Sequence, residues 1–198
     1  PPYNPLYTLH PDKPVTMGAY AMPELYTEAK YAQEMAIAGS KAVISEAMED
    51  YGKRFGRIYR PVETYNTKDT DFVFIALGAV SENIKTAIDD LKTEGKEAGL
   101  IQLRLFRPFP AEELLAALAG KKRVAVIERA MPGGAFNGPL FNEISSLLQS
   151  KRIDMAAENY ILGLGGRDVL PDDFKRIFEK PPAAQGVYQN YNVIGVRG

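Results

Sequence analysis

The stretch KKRVAVIERAMPGGAFNGPLFNEISSLL, residues 121–148, decides the fold of this chain. Its short apolar run from Val124 to Ile127 predicts a buried strand, and the glycines and prolines that follow predict a turn. Beyond the turn, the apolar residues recur at the spacing of a helix: Leu140, Ile144, Leu147 and Leu148. A strand, a glycine-rich turn and a helix in this order are typical of α/β proteins, which place functional loops at the carboxyl ends of parallel strands.

The same alternation of strand and helix continues along the chain. Apolar runs predict further strands at residues 72–77, 100–105 and 159–162, with helices between them. The segment PVETYNT, residues 61–67, predicts a short edge strand and is the natural candidate for a non-parallel one. Strands that alternate with helices predict a three-layer α/β domain with a mainly parallel sheet and right-handed crossovers.

Three regions are expected along the chain. Residues 1–23 are rich in proline and predict an extended N-terminal arm or linker. Residues 24–180 form the domain, which begins with a long entry helix, and residues 181–198 form a C-terminal arm. The entry helix is expected to carry Ile37, Ile44, Met48 and Tyr51 on one apolar face, and Ser81 is the predicted N-cap of the next helix. The chain lacks an initiator Met, so we expect a fragment or a processed product.

The composition excludes several classes of protein. The chain has no cysteine and a single histidine, His10, in the proline-rich leader. Disulfides, cysteine nucleophiles, iron–sulfur ligation and multi-histidine metal sites are therefore excluded. The net charge of -1 provides no basic field for nucleic acid or an anionic membrane surface. No apolar run approaches the roughly 20 residues that cross a bilayer.

Two glycine turns are the first candidate contact sites. Gly133 and Gly134 either bind an anion through backbone N–H groups or let another chain approach closely. Gly165 and Gly166 predict a tight turn between a strand and a helix, and the sharper alternative is a subunit or domain contact made by Arg167.

Charged residues at the strand ends are the second set of candidates. Glu128 and Arg129 are adjacent on a strand, so they point to opposite faces and are poor partners for one reaction. Arg107 forms, with Arg104 and Arg129, either a small basic cluster that docks a carboxylate or phosphate group or a solvated rim. No complete catalytic constellation is present, so no catalytic, cofactor-binding or metal-binding residue is predicted.

Four segments in order carry a resemblance to a known family: GRIYRPVETYNTKDTDFVFIALGAV, LRLFRPFPAEEL, RVAVIERAMPGGAFNGPLFNEI and LGLGGRDVLPDDFKRIF. Over about residues 12–180 the chain resembles the α chain of 2-oxoacid:ferredoxin oxidoreductases of the pyruvate (pyruvate synthase) type. The match is to the second part of that α chain, which is similar to the C-terminal domain of transketolase. The resemblance therefore implies a three-layer αβα domain with a five-stranded, mostly parallel sheet.

The resemblance also implies a scaffold role in a larger enzyme. The complete enzyme oxidatively decarboxylates a 2-oxoacid, transfers the acyl group to coenzyme A and reduces ferredoxin. Thiamine diphosphate, Mg²⁺ and iron–sulfur clusters are expected on other domains or subunits, because the thiamine-binding part of the α chain is not represented here. The implied partners are those domains and subunits, with ferredoxin through the complex, in the cytoplasm; a homo-oligomer stays open.

Two alternatives to the scaffold role remain. The chain is a module that binds coenzyme A or an anion, or it is the C-terminal domain of another thiamine diphosphate enzyme. A 2-oxoacid dehydrogenase β chain and a deoxyxylulose-phosphate synthase are the examples considered. In the scaffold role, the isolated fragment is expected to be inactive.

Overall fold

The computed structural model describes residues 2–18, 20–179 and 191–197. The chain divides into two compact units, Pro1–Lys41 and Ala42–Gly198. The described part of the first unit contains no strand, and its helical residues belong to α1 (Pro23–Phe55), which ends in the second unit. All 33 residues of α1 are described, and none of them is buried.

A six-stranded sheet forms the centre of the second unit, in the order β1-β3-β2-β4-β5-β6. In chain order the strands are β1 (Val62–Tyr65), β2 (Phe72–Leu77), β3 (Gly99–Leu103), β4 (Arg123–Glu128), β5 (Ala156–Ile161) and β6 (Asn192–Val193). Strand β1 runs antiparallel to β3, and the other neighbouring pairs are parallel. The segment PVETYNT thus supplies the non-parallel edge strand, as its sequence predicts.

Four helices cover the two faces of this sheet. They are α2 (Val80–Thr93), α3 (Ala111–Leu118), α4 (Pro139–Ser150) and α5 (Pro171–Glu179). Helices α2 and α5 enclose one apolar core with the sheet, and α3 and α4 enclose the other. The predicted three-layer αβα arrangement with a mostly parallel sheet is confirmed.

The strand sequences are apolar on both faces because both faces are covered. In β2, Phe72 and Phe74 enter the core under α2 and α5, whereas Val73 and Ile75 enter the core under α3 and α4. Phe74 meets Phe174 of α5 edge to face, with ring centroids 5.9 Å apart. Full burial of such a side chain contributes about 1.5–3 kcal/mol, so alternation along one strand stabilises both layers.

The sheet has six strands where five were expected. The sixth strand, β6, lies in the region predicted as a C-terminal arm, and the backbone N–H of Ile194 donates to the carbonyl of Ile161 at 2.9 Å. Residues 181–190 and 198 of that predicted arm lie outside the described residues. The predicted boundaries of the arm, domain and tail stay predictions.

One local prediction was wrong. Ser81 does not cap α2, because the helix begins at Val80 with Ala79 in the N-cap position. The Ser81 hydroxyl is instead buried without a hydrogen-bond partner in the part of the chain that the structure describes. On the apolar face predicted for the entry helix, Ile44 and Met48 are half-buried, whereas Ile37 and Tyr51 each remain 38% exposed.

The helices that follow β2 and β4 leave the sheet on opposite faces. Helix α2 follows β2 on one face, and α4 follows β4 on the other, although the two strands are neighbours. Such a topological switch point opens a crevice at the carboxyl ends of the strands, which is where open α/β sheets bind ligands. The candidate site is therefore expected at the ends of β2 and β4.

Candidate functional site

Two charged residues lie at the end of strand β4 and point to different faces of the sheet. Glu128 is the last residue of the strand, and Arg129 follows it. Glu128 points toward the start of α4, where its carboxylate accepts backbone hydrogen bonds. Arg129 points to the other face, where its guanidinium donates to the loop after β5. The alternation of side chains along a strand produces this split, so the two residues cannot act together on one reacting group.

The Glu128 carboxylate forms the N-terminal anchor of α4. One oxygen, Oε2, accepts the backbone N–H of Leu140 at 2.8 Å. The other, Oε1, accepts the N–H of Phe141 at 3.0 Å and the side-chain amide of Asn159 at 2.8 Å. Glu128 is only 5% exposed. A buried charge is tolerated where several donors and the positive end of a helix dipole satisfy it, which is the arrangement found here.

Gly138 completes this anchor and closes it to other molecules. Its N–H donates to Oδ1 of Asn159 at 2.8 Å, which fixes the orientation of that amide. A Cβ at Gly138 would lie 2.2 Å from Oε1 of Glu128, so only glycine fits. Pro139 follows at the first helical position, which its fixed φ favours. Glu128, a predicted interface or ligand contact, is therefore occupied inside the fold.

Arg129 lies on the open side of the same strand end. Its Nη2 donates to the carbonyl of Gly163 at 3.0 Å. Gly163 has a φ of 66°, and a Cβ there would come within 2.9 Å of both Nε of Arg129 and a methyl group of Val169. The glycine thus allows the guanidinium to pack directly on the backbone of the loop.

A crevice of about 360 Å³ opens beside Arg129 at the carboxyl ends of β2, β4 and β5. The residues that matter for its chemistry are Ala79, Asn83, Arg129, Arg167 and Asp168. Asn83 of α2 donates to the carbonyl of Val169 at 2.8 Å, which ties the loop to the helix. Arg167 donates to the carbonyl of Gly195, beyond β6. The crevice lies where the topology predicts a ligand site.

A second buried polar cluster fastens the end of α5. Arg123 binds both carboxylate oxygens of Glu158, at 2.6 and 3.0 Å, and donates to the carbonyls of Ile177 and Phe178. Burial and the hydrogen bond to Glu158 raise the pKa of Tyr160. A cation at the carbonyl end of a helix is stabilising, so we assign this cluster to the fold.

The basic cluster considered for Arg104, Arg107 and Arg129 has no common site. Arg104 pairs with Glu63 at 2.6 Å and stacks on the ring of Tyr59. Arg107 pairs with Glu143 of α4, and its guanidinium lies 4.2 Å from the centre of the Phe106 ring. Arg129 alone of the three lines the crevice.

The four candidate glycines have left-handed backbones and open surroundings. The φ angles are 57° at Gly133, 89° at Gly134, 61° at Gly165 and 81° at Gly166. No described atom lies within 4 Å of a Cβ built at any of them, apart from their own neighbours. Among the described residues these glycines have a role only in the turns, and their roles as contacts stay predictions.

The sequence alone did not identify Asn83 and Asn159 as residues that position the candidate site. Asn159 lies in a buried part of β5, opposite Val126 of β4. A polar residue in a buried strand could have indicated that its side chain has a specific partner. Asn83 had no comparable signal, because an exposed polar residue in the first turn of a helix is ordinary.

The described residues contain no candidate for a metal site or for a membrane span. No group of three or more His, Cys, Asp or Glu among them is placed to hold a metal ion. No helix in the described ranges is long and apolar enough to cross a membrane.

The fold and the position of the crevice define a three-layer α/β domain with its candidate site at a topological switch point. Residues 70–174 match the family described as pyruvate:ferredoxin oxidoreductase core domain II. The chain belongs to this family.

Several relatives match nearly the whole chain. The pyruvate synthase subunit PorA of Methanothermobacter thermautotrophicus is 35% identical over 91% of this chain and 46% of that protein. The ketoisovalerate oxidoreductase subunit VorA of Pyrococcus horikoshii is 40% identical over 90% and 46%. A solved 2-oxoglutarate:ferredoxin oxidoreductase from Magnetococcus marinus aligns with 66% of this chain and 21% of its own, at 21% identity and a TM-score of 0.46. The chain spans about half the length of the curated relatives it matches.

Proposed function

We propose that this chain is the second core domain of the α subunit of a 2-oxoacid:ferredoxin oxidoreductase and acts as a scaffold in that enzyme. The parent enzyme would decarboxylate a 2-oxoacid oxidatively, transfer the acyl group to coenzyme A and pass electrons to ferredoxin. The family match and the PorA and VorA relatives support the assignment. The PorA relatives favour pyruvate as the 2-oxoacid, and the VorA relatives make a branched 2-oxoacid the second choice.

The observation that carries the scaffold role is helix α1. It is 33 residues long and has no buried residue. Several of its large apolar side chains are mostly exposed, including Tyr31 and Val43 at 66% each. A helix with no fully buried side chain gains little from packing, whereas an exposed apolar surface suits contact with another domain or subunit.

The donor chemistry of the chain supports the same division of labour. The chain has no cysteine, so it offers no thiolate for an iron–sulfur cluster. The strand-end carboxylate of Glu128 is used by α4. We therefore propose that thiamine diphosphate, Mg²⁺ and the clusters are held by other parts of a cytoplasmic complex. Arg107, Gly133, Gly134, Gly165 and Gly166 remain candidate contacts with those parts.

Activity of the chain by itself is the direct test. We expect the 198-residue chain to show no pyruvate-dependent reduction of a viologen dye when thiamine diphosphate and coenzyme A are supplied. Measurable reduction would overturn the scaffold role.

Assembly provides the positive test. Tyr31→Ser and Val43→Ser should each lower incorporation of the chain into the complex formed with the other subunits. The free energy of unfolding of the chain should change by no more than about 0.5 kcal/mol, because both side chains are exposed. Glu34→Gln, at another exposed position of α1, is the matched control. Unchanged assembly of both variants would contradict the proposal.

A ligand-binding module is the second candidate, and the crevice beside Arg129 is the observation that favours it. Coenzyme A or a smaller anion would be its ligand. The lining of this crevice includes neither the glycine turn after Glu128 nor the side chain of Arg107.

A further inference from the structure

The crevice at the ends of β2, β4 and β5 contains two arginines whose charge is not neutralised by a carboxylate. Arg129 and Arg167 donate to the backbone carbonyls of Gly163 and Gly195, and within the described ranges neither forms an ion pair. Five other arginines do pair with carboxylates: Arg54, Arg104, Arg107, Arg123 and Arg176. The contrast shows that the charge in the crevice remains available to a ligand.

The neighbours in sequence make this contrast sharper. Glu128 precedes Arg129 but turns to the opposite face, where α4 uses it. Asp168 follows Arg167 and lines the crevice, yet it forms no ion pair with either guanidinium. Because a guanidinium has five N–H donors and each arginine uses one, several donors remain in a planar array that matches the oxygens of a phosphate.

The lining also limits the kind of anion. Two arginines against one aspartate leave a local charge of one positive unit, and the net charge of the whole chain is -1. A polyanion such as nucleic acid would meet no wider basic surface. A volume of about 360 Å³ suits a small molecule. The Asp168 carboxylate can only accept, so it favours a ligand with a hydroxyl group next to its anionic group.

We propose that this crevice binds the phosphate group of a small phosphorylated, hydroxyl-bearing molecule, with Arg129 and Arg167 on the phosphate and Asp168 on a hydroxyl. The loop from Gly163 to Leu170 carries two of these three side chains and is held to α2 by the Asn83 hydrogen bond. The site is thus positioned before a ligand arrives. This proposal does not depend on the parent enzyme, since it uses contacts of the described residues alone.

Binding to the 198-residue chain tests the proposal with three probes at constant ionic strength: inorganic phosphate, ribose 5-phosphate and acetate. Titration calorimetry or amide chemical shifts should show saturable phosphate binding with a dissociation constant on the order of millimolar. Ribose 5-phosphate should bind several-fold more tightly, because Asp168 gains a partner. Acetate that binds as tightly as phosphate would overturn the phosphate assignment, as would the absence of saturation by either phosphate at about 50 mM.

Four variants locate the binding. Arg129→Gln and Arg167→Gln should each weaken phosphate binding roughly tenfold, because each removes a charge-assisted hydrogen bond. Arg176→Gln is the matched control, since Arg176 pairs with Asp173 and does not line the crevice. Asp168→Asn should tighten binding of inorganic phosphate, because it removes a negative charge, and should reduce the preference for ribose 5-phosphate, because a neutral amide oxygen accepts a hydroxyl more weakly than a carboxylate does. Tighter binding cannot result from misfolding, so it would support the proposal even if the arginine variants were unstable. Weaker phosphate binding by an Asp168→Asn variant that keeps the wild-type melting temperature would contradict the proposal.

Discussion

At the end of β4, the charged residue on one face of the sheet is buried and hydrogen-bonded, whereas the charged residue on the other face is exposed. On the side of α4, Glu128 is 5% exposed and accepts three hydrogen bonds from two elements of the fold. On the side of α2, Arg129 is exposed, contacts one carbonyl and borders a crevice. Two adjacent residues at the end of one strand therefore differ in role: Glu128 is buried in the anchor of α4, and Arg129 borders the open crevice.

The difference follows from where the next helix begins. Helix α4 starts directly under Glu128, so its free N–H groups and the carboxylate neutralise each other. The face of Arg129 receives no helix from β4, because the connection has crossed to the other side. The face that the following helix covers thus decides the role of a charged residue at a strand end. On the covered face the residue anchors the helix, and on the other face it remains accessible to a ligand.

A substitution at Gly138 should have the largest effect, because it disrupts the anchor that Glu128 forms for α4. Gly138→Ala places a Cβ 2.2 Å from Oε1 of Glu128 and should lower the free energy of unfolding by about 3 kcal/mol or more. Gly134→Ala is the control in the same loop. Its surroundings are open but its φ is 89°, so it should cost only about 1 kcal/mol. Urea unfolding followed by circular dichroism measures both, and equal losses would contradict the closed anchor.

The adjacent pair itself gives the next largest difference. Glu128→Gln keeps the shape but loses the charge and turns a donor toward backbone N–H groups, which should cost about 2 kcal/mol. Arg129→Gln should cost no more than about 0.5 kcal/mol, because the side chain is exposed. The measurement is again the free energy of unfolding in urea. A loss at Arg129 as large as that at Glu128 would contradict the division between the two faces.

Glu94 gives the smallest effect and compares an exposed carboxylate with the buried one. Hydrogen bonds from Lys175 and Lys96 lower the pKa of Glu94 from its ordinary value of 4.5 to about 2. A lowered pKa means that the contribution to stability is present above about pH 4.5 and is lost as the pH falls toward 2. The difference in melting temperature between the wild type and Glu94→Gln should therefore shrink over that range.

Salt provides the control for Glu94. The ion pairs are exposed, so the difference should also shrink at high ionic strength. Lys175→Gln should show the same trends with pH and salt. A difference that stays constant from pH 6 to pH 2 would exclude the ion pairs as its source.

Most of the fold could be predicted because its signals are local. The apolar run from Val124 to Ile127 is a strand, the proline at position 171 begins α5, and the segment PVETYNT is the antiparallel edge. Each of these depends on propensity or periodicity over a few residues. The sixth strand was missed because Asn192–Val193 is defined by its pairing with β5 rather than by its own composition.

The candidate site was harder to predict because it depends on long-range pairing. The role of Glu128 requires helix residues twelve and thirteen positions later and Asn159, thirty-one positions later. Arg129 and Arg167 were both considered, but no pattern in the sequence brings them to one crevice. Alternation along β4 predicted only that Glu128 and Arg129 separate, which the structure confirms.

The exposure of helix α1 has a consequence for the dynamics of the isolated chain. The helix has no fully buried residue, and only a few of its side chains, such as Ile44 and Met48, are half-buried, so packing stabilises it less than the strands. Its cooperative opening should then require far less free energy than the opening of the sheet, and its amide protons should exchange with solvent much earlier. Docking would link the ordering of this segment to association, so hydrogen exchange at α1 would report occupancy of its surface directly.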